Sequence, residues 1–224
     1  MALNHAYISF INDCNNRTIG DFSGKTMLEL GDQIIRKGEI PETTGKEYYS
    51  NRGVNHISID LNGNNGSLEL DLSKIIDKKE WFNYFDIITN SGTTEHIEPK
   101  QAQYITFMNI HNCMKVGGIA VHLVPDINEL EINGKWKGHC NNYYSFNFFY
   151  MLSQKNAYEI ISFKIINGLI CVGLQKTRDN TFMKDQHFFL KYINRKRGGV
   201  VYPGINDSKF KRFFRKFYKI QKRF

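Results

Sequence analysis

The sequence has few cysteines and lacks any long apolar run. The four cysteines are widely separated and lie at Cys14, Cys113, Cys140 and Cys171. Their spacing matches neither a zinc site nor a disulfide framework, so we expect a reducing compartment and assign no metal ligands. No apolar stretch reaches membrane-spanning length, and no apolar segment follows a charged N-terminus. We therefore expect a cytoplasmic protein without an export signal.

A phosphate-binding P-loop is also absent, although residues 24–26 read Gly-Lys-Thr. The P-loop requires four residues between its glycines, whereas three separate Gly20 from Gly24. Lys25 and Thr26 also precede the apolar run of residues 27–30, where the motif needs them to follow a strand. This spacing and order exclude P-loop nucleotide binding.

Acidic residues are missing from the C-terminal segment. Residues 209–224 contain eight basic residues and no acidic one. Removing these eight from the 30 basic residues leaves 22, which equals the number of acidic residues in the chain. The net charge of +8 therefore resides in this segment.

As a helix, residues 209–224 place aromatic side chains on one side and basic side chains on the other. Like charges at i and i+4 disfavour this helix in isolation, and an anionic surface would relieve their repulsion. The pattern is typical of a peripheral membrane anchor. Two alternatives stay open: packing of the aromatic side on the domain, and nucleic-acid binding.

Between residues 26 and 176, short apolar runs alternate with helical or turn-rich stretches. The pattern predicts strands at 26–30, 55–61, 67–72, 84–90 and 117–125, and helices at 99–116 and 144–156. Two further strands at 158–165 and 169–176 flank Asn167-Gly168, which predicts a hairpin. Strands that alternate with helices indicate an α/β protein with a mostly parallel sheet covered on both faces.

This order of elements, with "LELGDQ" after the first strand, "ISIDLNG" after the second and "CMKVGGIAVHLVP" leading into the fifth, resembles the class I S-adenosylmethionine-dependent methyltransferases. The resemblance implies a three-layer, Rossmann-like α/β fold with strand order 3-2-1-4-5-7-6 and an antiparallel seventh strand. We expect an N-terminal extension at 1–25, a methyltransferase domain at 26–176, and a C-terminal extension at 177–224 that ends in the basic helix.

The resemblance also implies S-adenosylmethionine as cofactor and S-adenosylhomocysteine as product. The expected cofactor-binding residues follow the first four strands, where ligands of open α/β sheets bind. They are Glu29, Gly31, Asp32, Asp60, Leu61, Asp71, Leu72, Asn90 and Ser91, with Leu70 as an alternative to Leu72 against the adenine ring. The family's first loop usually reads GxGxG, whereas this loop has only Gly31. Residues 36–53 hold Pro41 and two early glycines, so we expect the helix after the first strand to be short and displaced. Asp60 and Asp71 could instead shape a turn and cap a helix, respectively.

Three histidines are candidate general bases, because an unperturbed imidazole titrates near neutral pH. His139 is preferred, since its loop lies where family members build the acceptor site, and His96 and His122 are the other two. Each could instead be structural. The chain lacks the Asn/Asp-Pro-Pro-Tyr/Phe and Pro-Cys motifs of base methylation, which favours O-methylation of a sugar, a glycan or another small acceptor. The alternatives are a catalytically silent module that binds membrane or RNA through residues 209–224, and an RNA methyltransferase.

Overall fold

The computed structural model describes residues 2–196 and 198–199. The basic helix predicted at 209–224 lies outside these residues. Within the described part of the chain, no helix is both long enough and apolar enough to cross a membrane. All four cysteines are described, and each is a buried free thiol.

Seven strands form one mixed sheet in the order β3-β2-β1-β4-β5-β8-β7. They are β1 Thr26–Leu30, β2 Asn55–Asp60, β3 Leu68–Glu69, β4 Phe85–Ser91, β5 Met114–Pro125, β7 Tyr158–Ile166 and β8 Leu169–Lys176. The short strands β6 Asn142–Tyr143 and β9 Asn194–Arg195 pair separately. The first four neighbour pairs are parallel, and β8 is antiparallel to both β5 and β7. Along the chain, β7 and β8 are the sixth and seventh strands of this sheet, so the predicted order and the antiparallel seventh strand are confirmed.

The predicted hairpin joins β7 to β8 through Asn167 and Gly168. Both residues have positive φ, at 53° and 77°. Two consecutive left-handed residues form the type I′ turn, whose twist matches that of the flanking strands. The Asn-Gly pair thus sets the register of the two strands at this end of the sheet.

Helices cover both faces of the sheet. α1 His5–Thr18 and α2 Gly45–Ser50 pack on one face. α3 Ala102–Cys113, α5 Phe146–Asn156 and α6 Gln186–Lys191 pack on the other, around an aromatic core. α4 Ile127–Asn133 contributes Ile127 to a small cluster with Cys140 and Tyr143. The helix that follows the first strand is α2, which has only six residues and begins 15 residues after Leu30. The prediction that this helix is short and displaced is confirmed.

Several features differ from the predicted pattern. β5 begins at Met114, inside the helix predicted at 99–116. β3 is only two residues long, because the chain turns at Asp71 instead of continuing the strand. Both of its side chains are exposed. The segments predicted as extensions also supply α1 and α6 to the two cores. The domain boundaries at residues 26 and 176 stay a prediction.

Candidate functional site

An open cleft lies at the carboxyl ends of β2 and β3. Its walls come from three loops, which follow β2, β3 and β4. The lining residues are Ile59, Asp60, Leu61, Leu70, Asp71, Leu72, Ser73, Thr93, His96, Ile97 and Glu98. Carboxylates thus stand beside leucine and isoleucine side chains, which suits a ligand with a polar sugar and an apolar ring. Four of the nine predicted cofactor-binding residues line this cleft: Asp60, Leu61, Asp71 and Leu72.

Asp60 both shapes a loop and faces the cleft. Its Oδ1 accepts a hydrogen bond from Asn62 N, and its Oδ2 accepts one from Asp32 N, each at 3.1 Å. The first bond is the Asx turn that the sequence allowed as an alternative. Each carboxylate oxygen keeps a further lone pair that can accept a hydrogen bond from a ligand hydroxyl.

Asp32 and Asp71 are fixed by short local contacts. Asp32 Oδ2 accepts from Asn65 Nδ2 at 2.8 Å. Partial burial, and then the nearby Asp60 charge, raise the pKa of Asp32 above its usual value. Asp71 Oδ1 accepts from both the backbone N and the hydroxyl of Ser73. Asp71 therefore starts a turn and not a helix, so the predicted alternative of a helix cap is wrong.

The space above Gly31 is filled by two side chains. Gly31 has φ of 88°, and a Cβ there would lie 2.5 Å from Thr93 Oγ1 and 2.6 Å from Gln33 Nε2. Thr93 Oγ1 donates to Leu30 O at 2.6 Å, and Gln33 Nε2 donates to the same carbonyl at 3.3 Å. In the resembling family, glycine at this turn lets the backbone approach the cofactor. Here Gln33 and Thr93 occupy that approach.

Glu29, Asn90 and Ser91, which the sequence placed at the cofactor, are buried beneath the cleft and do not line it. Burial raises the pKa of Glu29, and its Oε2 lies 3.7 Å from His56 Nε2. Asn90 Nδ2 donates to Thr94 Oγ1 at 2.9 Å. These residues support the loops above them, and direct contact with a cofactor stays a prediction.

His122 lies inside the aromatic core. Its ring centroid is 5.5 Å from that of Phe107 and 5.2 Å from that of Phe149, and its Nδ1 is 3.0 Å from Asn90 Nδ2. Because an amide nitrogen can only donate, Nδ1 accepts and the ring is neutral. Burial lowers the pKa of His122 to about 3. This position does not support the predicted role as general base.

His96 and His139 do come together, on either side of Glu95. Glu95 Oε1 lies 3.7 Å from His96 Nε2 and 3.7 Å from His139 Nε2. Burial acts to raise the pKa of Glu95, but the two imidazoles outweigh it and hold the pKa below the ordinary value. At 3.7 Å the contacts exceed hydrogen-bond length, so the attraction is electrostatic. His96 lines the cleft, and the side chain of His139 is 27% exposed.

The loop that carries Glu95 and His96 is held from three sides. Asn90 Oδ1 accepts from Thr94 N at 3.2 Å. Gln103 Nε2 donates to Thr94 O at 2.7 Å and to Ile97 O at 2.9 Å. Asn142 Nδ2 donates to Glu95 O and Ile97 O at 3.2 and 3.0 Å. Such bonds fix a functional loop before any ligand arrives.

Sequence reasoning missed five residues that line the cleft and two that hold its loop. Gln103 and Asn142 come from distant parts of the chain, so no local pattern marks them. Thr93 and Ile97 begin and end the stretch of residues 93–97, and Glu98 follows it. All three are close in sequence to His96, one of the three candidate bases, and they could have been included on that basis. The remaining two missed lining residues are Ile59, beside Asp60, and Ser73, beside Leu72. Leu70, the alternative to Leu72, also lines the cleft.

The comparison with solved structures identifies the fold. The structure is similar to the 1,6-didemethyltoxoflavin-N1-methyltransferase of Burkholderia thailandensis, solved with its acceptor and S-adenosylhomocysteine. The TM-score is 0.55 at 14% identity, over 78% of this chain and 80% of that one. The chain has the class I methyltransferase fold.

Two other similar structures share this class I fold. One is the N-methyltransferase NodS of Bradyrhizobium japonicum WM9 with S-adenosylhomocysteine, at TM-score 0.53 and 10% identity over 78% of this chain and 89% of that one. The other is the geranyl diphosphate C-methyltransferase of Streptomyces coelicolor A3(2), solved with Mg²⁺, geranyl diphosphate and S-adenosylhomocysteine. Its TM-score is 0.52 at 13% identity, over 76% and 80% of the two chains. No protein-family model and no curated protein matches the chain.

Proposed function

We propose that this chain is a methyltransferase that uses S-adenosylmethionine to methylate an oxygen of a small acceptor such as a sugar or glycan. The supporting observation is the cleft at the carboxyl ends of β2 and β3, where Asp60 and Asp71 face a ligand site beside Leu61, Leu72 and Ile97. In open α/β sheets this edge is where ligands bind. The structural neighbours include enzymes with S-adenosylhomocysteine bound.

The cleft residues fit the adenosine half of the cofactor. Asp60 has lone pairs for the ribose hydroxyls, Asp71 can accept from the adenine amino group, and the leucine side chains can contact the ring. The methionine half would lie near Gln33 and Thr93, whose side chains fill the space above Gly31. Both are side chains with rotatable bonds, so binding of the whole cofactor requires Gln33 to turn away from Leu30 O.

When bound, the cofactor supplies an activated methyl group on a sulfonium. The chain's contribution is to hold donor and acceptor in contact, which can lower the barrier by about 7–11 kcal/mol. His139 stands on the exposed side of the cluster with Glu95 and His96, where it can receive the acceptor proton. The acceptor therefore approaches past the loops of residues 93–98 and 134–141.

The silent module stays a second candidate, and the filled space above Gly31 supports it. Methylthioadenosine distinguishes the two, because it carries the nucleoside and the sulfur but no amino-acid part. An active site should bind S-adenosylhomocysteine more tightly than methylthioadenosine. A site that has lost the methionine pocket should bind the two equally.

Calorimetry on the full chain tests the proposal. We expect S-adenosylhomocysteine to bind, and Asp60→Asn to weaken it by about 1.5–3 kcal/mol, roughly ten- to a hundredfold in Kd. Asp77→Asn, at an exposed position outside the cleft, is the matched control. Gln33→Gly should improve binding of S-adenosylhomocysteine and leave methylthioadenosine unchanged. If the wild-type protein binds neither ligand, the proposed methyltransferase activity is refuted.

The basic segment of residues 209–224 raises the question of which anionic partner the protein binds. We propose that residues 209–224 bind an anionic membrane surface, since the sequence pairs an aromatic side with eight basic residues. An RNA methyltransferase would use the same residues to contact phosphates, with a steep dependence on salt. Anionic vesicles and RNA, offered to the full chain and to a chain without 209–224, separate the two.

A further inference from the structure

A second chemical feature lies at the edge of the cleft, where Glu95, His96 and His139 converge. Glu95 and His96 belong to the 3-10 helix Thr94–His96 after β4, and His139 belongs to the loop after α4. Each residue offers one ligand atom, and these atoms all lie within 4.8 Å of one another. Two imidazole nitrogens and a carboxylate oxygen thus point at one small region.

The carboxylate at the centre of this cluster has no hydrogen bond within the described part of the chain. Glu95 is fully buried, and both of its oxygens lack a partner. His139 Nε2, which faces Glu95 Oε1 at 3.7 Å, lacks one as well. Buried polar atoms are normally hydrogen-bonded, and a buried charge is normally paired or bound to a metal. Atoms that face each other without bonding indicate a missing partner between them.

The separation fits two ligands of one ion. Metal–nitrogen and metal–oxygen distances are about 2.0–2.2 Å for zinc, so adjacent ligands of one ion stand roughly 3–4 Å apart. A simple ion pair would instead bring the imidazole and the carboxylate into hydrogen-bond contact, about 2.7–2.9 Å apart. The observed 3.7 Å favours the metal-binding explanation.

We propose that Glu95, His96 and His139 bind one divalent transition-metal ion at the edge of the cleft. Imidazole and carboxylate ligands together suit zinc, iron, manganese or cobalt in the divalent state. This site is not visible from cysteine spacing, on which the sequence-based expectation of no metal ligands rested.

The nearest cysteine does not change this ligand set. Cys140 follows His139 directly, but its Sγ donates to Asn142 O at 3.2 Å. Cys140 also lies outside the group of residues whose ligand atoms converge, so it is not a ligand in this arrangement.

Three protein ligands leave coordination positions open, as in catalytic metal sites. His96 also lines the cleft, so an acceptor held at the edge of the cleft can reach these positions. With the ion bound, His139 is a ligand and no longer the proton acceptor. A hydroxyl that binds the ion has its pKa lowered by the ion's charge, and its proton leaves to water. This role rests on the proposed function, whereas the metal site itself does not.

Metal titration of the full chain tests the site directly. Protein stripped with a chelator is titrated with Zn²⁺ by calorimetry and with Co²⁺ by visible absorption, which reports the ligand field, in the absence of S-adenosylmethionine. We expect one ion per chain. Glu95→Gln and His139→Asn should each weaken binding at least about tenfold, since even residues that only support ligands cost 10–100-fold.

The matched control removes two exposed histidines elsewhere, in the double variant His5→Asn/His187→Asn. It should bind Zn²⁺ and Co²⁺ like wild type. Thermal unfolding without metal checks that each variant folds. Substitution of His139, whose side chain is partly exposed, should disturb folding less than substitution of the buried Glu95. If Glu95→Gln does not fold, His139→Asn alone decides.

Three results would overturn the site: no stoichiometric binding to wild type, binding unchanged in the folded variants, or binding lost in the double control. The proposed function fails separately. Metal binding without S-adenosylhomocysteine binding would support the metal site and refute the methyltransferase activity. S-adenosylhomocysteine binding without metal binding would support the methyltransferase and refute the metal site.

Discussion

At the scale of single residues, His122 shows how burial couples stability to pH. Its pKa falls to about 3 in the fold, against an ordinary 6.5, because the ring is buried and uncharged. Between these values the unfolded chain binds a proton that the folded chain does not. Stability is therefore lost as pH falls below 6.5. For this one group the loss amounts to about 2 kcal/mol between pH 7 and pH 5.

His122→Asn removes this titration and keeps an acceptor for Asn90 Nδ2. We expect urea unfolding at pH 7 and pH 5 to show a smaller difference in the variant than in wild type, by about 2 kcal/mol. His187→Asn, at an exposed position, should retain the wild-type difference. An equal pH dependence in His122→Asn and wild type would show that His122 is not buried as described.

At the scale of elements, Lys176 joins the end of β8 to the end of α3. Its side chain is 1% exposed, and Nζ donates to Asn83 Oδ1 at 2.9 Å and to the backbone oxygens of His111 and Met114 at 3.2 and 3.1 Å. The last carbonyls of a helix have no partner within the helix. Lys176 supplies one of them with a partner from a neighbouring strand.

We expect Lys176→Met to destabilise the protein by about 1–3 kcal/mol, because the substitution leaves buried carbonyls without a donor. Thermal or urea unfolding measures the cost. Lys184→Met, at an exposed position, should change stability by less than about 0.5 kcal/mol. Similar stabilities for both variants would contradict the capping role.

The elements that the sequence predicted well are those whose pattern is local. "TMLEL" is mostly apolar, buried at every position and followed by Gly31, and Asn167-Gly168 specifies its own turn. β3 was predicted too long because its leucines alternate like a strand, while Asp71 and Ser73 form a turn that no alternation reveals. The cluster around Glu95 could not be predicted as one site, since His139 lies 44 positions away and only the tertiary fold brings it back.

At the scale of the whole molecule, α1 is part of the sheet's packing although the sequence places it outside the predicted domain. Its buried face includes Ile8, Ile11 and Cys14, and it contacts β5, β7 and β8. Gly173 on β8 marks the closest approach, because a Cβ there would lie 2.6 Å from Cys14 Sγ. The missing side chain on the strand lets the helix sit directly on the sheet.

A double-mutant cycle tests whether α1 packs there. Gly173→Ala should cost about 1–3 kcal/mol, because the added methyl overpacks the contact with Cys14. In the Cys14→Ala background the sulfur is gone, so the same methyl should cost less, with a coupling of at least about 0.5 kcal/mol measured by urea unfolding. If the two substitutions are additive, with a coupling below about 0.5 kcal/mol, α1 does not contact β8, and residues 1–25 are better described as a separate extension. Coupling would make α1 an integral part of the fold that carries the cleft.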